Sequence, residues 1–143
     1  MRFSDHRILC IDDDTNTVDW IRIVLRAAKI GAGVTAVSTA REAFSLLNRE
    51  NFDLCILEYA LPDMSGVQLC SLTRQMGSTV PMMFFSAMNR PIDLEKARLA
   101  GAIEYLSKPE DLDVLVSTVA KLLSKRRPIY SERIRRETWP RAA

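Results

Sequence analysis

Five short apolar runs, each followed by a segment with helical periodicity, constrain the fold of this chain most strongly. The runs start about 25 residues apart and comprise Ile8–Ile11, Val34–Val37, Leu54–Leu57, Val80–Phe85 and Ile103–Leu106. Uninterrupted apolar runs of this length predict strands that are buried on both faces, as in a parallel sheet. The alternation therefore predicts an α/β domain of (βα)5 type, with a doubly wound parallel sheet of five strands.

The segments between the runs carry the periodicity and the end signals of helices. The clearest stripe lies in LDVLVSTVAKLL, where apolar residues recur at three- and four-residue steps. Thr39 and Glu42 have the spacing of a capping box, and Gly101 is a stop signal. The predicted helices cover residues 16–29, the segment after Thr39, the segment opened by Gly66, residues Ile92–Ala100 and the segment Leu112–Leu123.

Composition narrows the class of protein. With 143 residues, 48% of them hydrophobic and 27% charged, the chain has the size and balance of one globular domain. It contains no apolar run long enough for a membrane span and no secretory signal at its start, so we expect a cytoplasmic protein without membrane contact. Cys10, Cys55 and Cys70 are expected to be buried free thiols. His6 is the single histidine, which argues against zinc sites and histidine-based catalysis.

Charge divides the chain into two parts. Residues 1–124 hold 13 basic and 16 acidic side chains, a net charge of −3, whereas residues 125–143 hold seven and two, a net charge of +5. We therefore predict a folded domain over 5–124 and a basic C-terminal tail over 125–143. The tail is interpreted first as a solvated extension, and nucleic-acid binding through its arginines is not expected from so short a basic run.

Polar side chains follow all five predicted strands, Ser38 and Thr39 after the second, and those after the other four form one chemical set. In doubly wound sheets, ligands bind outside the carboxyl ends of the strands, so these residues are the candidates for a site. Clustered carboxylates favour Mg²⁺, while a hydroxyl and a lysine facing the metal can hold phosphoryl oxygens. The candidates are the acidic cluster Asp12, Asp13 and Asp14, the carboxylate Glu58, the hydroxyl of Ser86 followed by Ala87, and Lys108 followed by Pro109.

The motifs around these residues resemble those of the receiver domain of two-component response regulators. The matching segments are ILCIDDD, LPDMSG, FFSA and LAGAIEYLSKP, in the order and spacing of that family. The resemblance implies a flavodoxin-like fold with strand order 2-1-3-4-5. It also implies that Asp12, Asp13 and the carbonyl of Ala60 bind Mg²⁺. By the same resemblance, the phosphate and switch groups are Ser86, Ala87, Tyr105, Lys108 and Pro109. A signalling partner is expected to bind helix 4, strand 5 and helix 5, and a homodimer is left open.

One residue departs from the family pattern. The family has a phosphoacceptor aspartate at the end of the third strand, where this chain has Glu58. Glutamate carries one more methylene, which moves its carboxylate roughly 1.3–1.5 Å further along the side chain. Two hypotheses follow. Glu58 partly mimics a phosphorylated aspartate and favours an active-like state without phosphorylation, or Glu58 pairs with Lys108 in an inert binding scaffold.

An enzyme is the alternative from another functional class. The segment Asp12-Asp13-Asp14-Thr15 also resembles the start of the D-x-D-x-T pattern of haloacid-dehalogenase-type phosphatases, although Asn16 stands where that pattern has its threonine. In that interpretation Asp12 is the nucleophile and Asp14 the acid/base. The chain has no evident cap domain, however, and the interpretation leaves Glu58 and its LPDMSG turn unexplained. We therefore expect a protein that is not an enzyme.

Overall fold

Strands and helices alternate along the chain in the computed structural model, which describes residues 3–125. The strands are β1 (Arg7–Ile11), β2 (Gly33–Val37), β3 (Leu54–Leu57), β4 (Met82–Ser86) and β5 (Glu104–Ser107). The helices are α1 (Thr15–Ala27), α2 (Ala40–Arg49), α3 (Gly66–Gln75), α4 (Pro91–Ala100) and α5 (Leu112–Ser124). The predicted (βα)5 arrangement is confirmed. β4 begins two residues later than predicted, after Pro81, which has no amide hydrogen to donate to a neighbouring strand.

The five strands form one parallel sheet in the order β2-β1-β3-β4-β5, as the family resemblance implied. β1 lies between β2 and β3, so the chain reverses its direction of winding there, and the carboxyl ends of β1 and β3 flank a crevice. The expectation that all five strands are buried on both faces is wrong for β2 and β5. These two are edge strands and are partly exposed, whereas every residue of β3 and β4 is buried.

Alternating side chains of the central strands divide the core into two layers. Ile8 and Cys10 face α1 and α5, whereas Leu9 and Ile11 face α2, α3 and α4. The prediction of buried free thiols is confirmed for Cys10, Cys55 and Cys70. Burial raises the pKa of the Cys10 thiol to about 12, so this thiol is chemically inert at neutral pH. No helix within residues 3–125 is long and apolar enough to cross a membrane.

The C-terminal end of α4 is held by side chains of α3. Nη2 of Arg74 donates to the carbonyl of Gly101 at 2.8 Å, and Nη1 of the same side chain donates to the carbonyl of Val80 at 2.7 Å. The Cys70 thiol donates to the carbonyl of Ala100 at 3.2 Å. Gly101 ends the helix with φ 108°, a conformation that favours glycine. Two contacts thus fix this end of α4 against α3, and the bond to Val80 ties the same Arg74 side chain to the segment before β4.

Candidate functional site

Three strand ends bring two carboxylates and one ammonium group together. Asp12 follows β1, Glu58 follows β3 and Lys108 follows β5. Nζ of Lys108 lies 2.6 Å from Oδ2 of Asp12 and 3.8 Å from Oε2 of Glu58. All three side chains are largely buried, with exposed fractions of 13% or less. One buried cation therefore serves two carboxylates, and it lies closer to Asp12.

The side chain of Glu58 bends back toward its own backbone. Its Oε2 accepts a hydrogen bond from the amide of Tyr59 at 3.0 Å. Burial raises the pKa of the Glu58 carboxyl above its ordinary value, and the Ser86 hydroxyl and the Lys108 ammonium oppose that rise. Because burial outweighs the favourable contacts, the site disfavours the ionised form of Glu58 relative to water.

The three aspartates after β1 have separate environments. Asp12 is buried, and its Oδ1 accepts from the amide of Asp14 at 2.9 Å while its Oδ2 contacts Lys108. Asp13 is exposed. Asp14 is the N-cap of α1, since its side chain accepts from the amide of Asn16 at 2.9 Å. Asp12 is thus the member of the acidic cluster that contacts Lys108, and Asp14 serves the helix.

A hydrogen-bonded chain connects the end of β4 with Tyr105 on β5. The buried hydroxyl of Ser86 accepts from the amide of Met88 at 3.1 Å, and the Tyr105 hydroxyl donates to the carbonyl of Met88. The Tyr105 ring stacks on Phe84 with ring centroids 5.3 Å apart. Burial raises the pKa of the Tyr105 hydroxyl to about 12. Tyr105 is therefore turned inward, with its hydroxyl bonded to the loop between β4 and α4.

The remaining predicted site residues lie on the loops at the same sheet edge. Ala87 is exposed directly after Ser86, and Ala60 is exposed in the β3–α3 loop, where it forms an isolated bridge with Ser65. The peptide bond between Lys108 and Pro109 is cis. The amide of Lys108 donates to the carbonyl of Ser86 at 2.9 Å, which holds the two strand ends together.

Gly66 allows the close approach of α3 to the end of β3. A Cβ atom at this position would lie 2.3 Å from the Glu58 carbonyl oxygen and 2.9 Å from Cε2 of Phe84. The Gly66 amide donates to the carbonyl of Tyr59 at 2.7 Å. Ser65 caps the helix together with Gln68 in a capping box. The glycine therefore determines how near the helix lies to the backbone that carries Glu58.

Asp63 makes a contact that the sequence analysis missed. Although its side chain is exposed, Oδ1 and Oδ2 accept from the amides of Ala40 and Arg41, each at 2.9 Å, at the first turn of α2. Backbone amides, those of Ala40 and Arg41 foremost, outweigh the effect of desolvation and lower the pKa of the Asp63 carboxyl. The contact joins the loop after Glu58 to α2. No local signal indicates it, because its partners are backbone atoms more than twenty positions away.

Asp93 was also missed, although a sequence signal was present. It lies in the first turn of α4, where acidic residues are favoured, and accepts from the amide of Arg90 at 3.2 Å. Nε of Arg90 donates to the same carboxylate at 3.0 Å. The carboxylate of Asp93 is buried, and Arg90 lowers its pKa. The pair fixes the start of α4, directly after the loop that holds Met88.

These strand ends, loops and fold match one known family. The model of the response regulator receiver domain matches residues 8–120. The chain belongs to this family. This match favours the receiver over the phosphatase alternative, and receiver domains in general are phosphoryl-accepting switches in two-component signalling rather than enzymes.

Relatives and solved structures agree with this assignment. The receiver domain is 39% identical over 106 residues to an uncharacterised 14.6 kDa protein of Leptolyngbya boryana, covering 73% of this chain and 79% of the relative. It is 33% identical to the response regulator protein PilR of Pseudomonas aeruginosa, covering 90% of this chain and 28% of the relative. A putative response regulator from Chloroflexus aurantiacus superposes with a TM-score of 0.75 at 30% identity, covering 83% of this chain and 98% of the other.

Several other curated relatives are longer proteins, of which the chain spans about half. The chain spans 55% of the transcriptional regulatory protein YrkP of Bacillus subtilis, at 32% identity over 132 residues and 92% coverage of this chain. The similarity therefore concerns the receiver domain of such proteins.

Receiver domains typically bind Mg²⁺ at the phosphorylation site, and the donor chemistry here suits that ion. The predicted ligands are oxygen atoms alone, the preference of Mg²⁺: two carboxylates, Asp12 and Asp13, and the Ala60 carbonyl. Oδ2 of Asp12 lies 2.6 Å from the Lys108 ammonium, so this carboxylate already binds one positively charged group. Within residues 3–125, no three acidic, cysteine or histidine side chains lie close enough to form a metal cluster on their own. A bound Mg²⁺ would thus share Asp12 with Lys108 and depend on water or phosphate oxygens.

Proposed function

We propose that this receiver domain acts in two-component signalling without accepting a phosphoryl group in the usual way. The observation that carries the proposal is the position of the Glu58 carboxylate, which lies in the site, 3.8 Å from the Lys108 ammonium and near the Ser86 hydroxyl. These are the groups that the family resemblance assigns to phosphate oxygens. The Glu58 carboxyl group thus lies beside the groups that would contact a phosphorylated aspartate.

Geometry explains why Glu58 is a poor phosphoryl acceptor. Attack on a phosphoryl donor depends on near-attack geometry, and an error of about an ångström costs on the order of a hundredfold in rate. The extra methylene of glutamate introduces an error of that size. The raised pKa of Glu58 has an additional effect, since it reduces the ionised fraction of the nucleophile as the pH falls.

The orientation of Tyr105 supports an active-like state. Its ring is stacked on Phe84 and its hydroxyl is bonded to the Met88 carbonyl, so the β4–α4 loop is joined to β5. We assign this inward arrangement to the active-like conformation, which Glu58 favours without a donor as a population shift. The mimicry is incomplete, because a carboxylate has one negative charge and two oxygens where a phosphoryl group has three oxygens.

The other site residues keep the roles that the resemblance implies. Asp12, Asp13 and the Ala60 carbonyl would hold Mg²⁺, which supplies charge neutralisation to phosphate oxygens. Ser86, Ala87 and Lys108 would contact those oxygens, with Pro109 following the lysine. The folded unit is proposed to be residues 5–124. The basic tail, with Tyr130 and Trp139, lies outside the described residues apart from its first residue, Lys125.

Acetyl phosphate with Mg²⁺ tests the proposal. The native chain should keep its mass, and Glu58→Asp should gain one hydroxylamine-labile phosphoryl group, while Glu58→Gln serves as a control without a nucleophile. A stoichiometric, hydroxylamine-labile phosphoryl group on the native chain would rule the proposal out.

The inert scaffold is the second candidate, and the contact of Glu58 with Lys108 favours it. The two hypotheses differ in what happens after phosphorylation of Glu58→Asp. If the switch is retained, amide resonances from Ser86 to Arg90 should shift when the variant is phosphorylated. Phosphorylation without any change in that loop would support the scaffold.

The surface of α4, β5 and α5 is the proposed partner face. Large apolar side chains are exposed there, among them Ile92 at 50%, Leu99 at 71% and Ile103 at 49%. Exposed apolar patches mark interaction sites, and receiver domains interact with signalling partners and often dimerise. Sedimentation of Leu99→Asp, compared with Ile23→Asp on α1, tests whether this face supports a homodimer. Equal dissociation constants for the two variants would exclude the face as the dimer contact.

A further inference from the structure

A basic cavity lies where α1 ends and β2 begins, at the amino ends of the strands, whereas Glu58 lies at their carboxyl ends. Its volume is about 400 Å³. Its lining includes three cationic side chains, Arg22, Arg26 and Lys29. It also includes an apolar surface formed by Leu25, Ile30 and Val34. A cavity of this size is large enough for a small metabolite.

The lining of this cavity concentrates positive charge. Its lining includes no carboxylate, although the domain as a whole has an excess of acidic residues. Within the described residues, Arg22, Arg26 and Lys29 form no ion pair. Arg22 and Arg26 are four residues apart on α1, where like charges repel. Nη2 of Arg22 donates to the carbonyl of Val34 at 3.1 Å, which holds its guanidinium at the cavity.

Lys29 adds an independent observation. Its φ is 59°, in the left-handed region, and it is the single non-glycine residue with positive φ between residues 3 and 125. The amide of Ile30 donates to the carbonyl of Leu25 at 2.9 Å. Helices that end with this hydrogen bond favour glycine at the position that Lys29 occupies here. A lysine here opposes the backbone preference, and its side chain lines the basic cavity. Strain of this kind points to a use for the side chain.

We propose that this cavity binds a small phosphorylated molecule of nucleotide size. The two guanidinium groups provide planar forks that match phosphate oxygens, and Lys29 provides a third positive charge. Leu25 and Ile30 are 2% and 8% exposed and form an apolar floor for a flat ring. The site is separate from Glu58 and does not depend on the phosphorylation state of the receiver.

Titration of the full chain with AMP, followed by amide resonances, tests the proposal. We expect saturable shifts confined to residues 22–34, with a dissociation constant that rises with salt concentration. Inorganic phosphate and adenosine, each alone, should bind more weakly than AMP, because each satisfies one half of the cavity. Inorganic phosphate that binds as tightly as AMP would overturn the assignment of nucleotide size.

Lys29→Gly separates binding from folding. Glycine suits the left-handed backbone, so the variant should unfold at a higher temperature, yet it should bind AMP about tenfold more weakly because one charge-assisted bond is lost. Arg26→Gln should also weaken binding. Arg49→Gln, which removes a cation from the last turn of α2, should leave it unchanged. Equal affinity of Lys29→Gly and the native chain, or shifts centred on Asp12 and Lys108, would overturn the proposal.

Discussion

Replacement of Gly66 by alanine tests whether the approach of α3 to β3 determines the position of Glu58. The added Cβ would lie 2.3 Å from the Glu58 carbonyl oxygen, roughly an ångström closer than an ordinary carbon–oxygen contact of about 3.3 Å. The clashing atom belongs to the backbone, so no side-chain rotation can relieve it. The N-terminus of α3 must move away from β3, and the 2.7 Å hydrogen bond from the Gly66 amide to the Tyr59 carbonyl is weakened.

The expected loss of stability follows from these contacts. Overpacking in a dense core costs about 1–3 kcal/mol, and the lower entropy of the unfolded alanine chain offsets about 0.4–1 kcal/mol of this. Because the added Cβ clashes with a backbone atom, we expect a cost at the upper end of this range and a net destabilisation of about 2 kcal/mol at Tm. For a domain of this size, that corresponds to a decrease in Tm of about 8 °C. Urea unfolding and a thermal scan of the same samples measure the two quantities.

Gly31→Ala is the matched control. A Cβ at Gly31 meets no atom within 4 Å, so the substitution should leave Tm unchanged or raise it slightly. In Gly66→Ala, the amide resonances of Glu58 and Tyr59 should shift, because the backbone there must give way. A Tm within about 2 °C of the native chain would mean that the site tolerates the methyl group and that Gly66 does not determine this spacing.

Two carboxylates should respond to pH with opposite signs. Because the pKa of Glu58 is raised in the folded protein, its carboxyl group stabilises the fold at low pH, and this stability is lost as the pH rises through the raised value. Glu58→Gln should therefore be more stable than the native chain at pH 8 and equal to it in acid. The pKa of Asp63 is lowered in the folded protein, so its carboxylate stabilises the fold at neutral pH, and this stability is lost as the pH falls through the lowered value. Asp63→Asn should therefore have a lower Tm than the native chain at pH 7 and the same Tm in acid. Thermal scans across this pH range check both, and a difference from the native chain that is independent of pH would contradict the assigned cause.

The fold could be predicted because its main determinant is a simple pattern. Leu54–Leu57 is apolar at every position, and a strand with helices on both faces requires that. The rule for parallel sheets then placed Asp12, Glu58 and Lys108 at one edge without any knowledge of side-chain geometry. The exposure of β2 and β5 was not predicted, because the position of a strand at the edge of a sheet depends on the order of pairing and not on the local sequence.

The detailed contacts of the site depend on distances between strand ends and on the space around side chains, which the local sequence does not determine. Lys108 could pair with either carboxylate, and the difference between 2.6 Å and 3.8 Å reflects where three strand ends converge. The inward turn of Tyr105 depends on the space beside Phe84. Asp63 reaches backbone amides of a distant helix, and such acceptor–amide pairs leave no pattern of residue types.

The attachment of α4 at Gly101 has a mechanical consequence. Arg74 and Cys70 hold the C-terminal end of the helix, whereas its N-terminal end follows the loop whose Met88 carbonyl is bonded to Tyr105. If Tyr105 turned outward, α4 would act as a lever with its fulcrum at Gly101. The helix has ten residues and is about 15 Å long, so a tilt of about ten degrees would displace its first turn by roughly 2.5 Å. Ile92 would then move much further than Leu99, and a partner could distinguish the two states by the tilt of one helix.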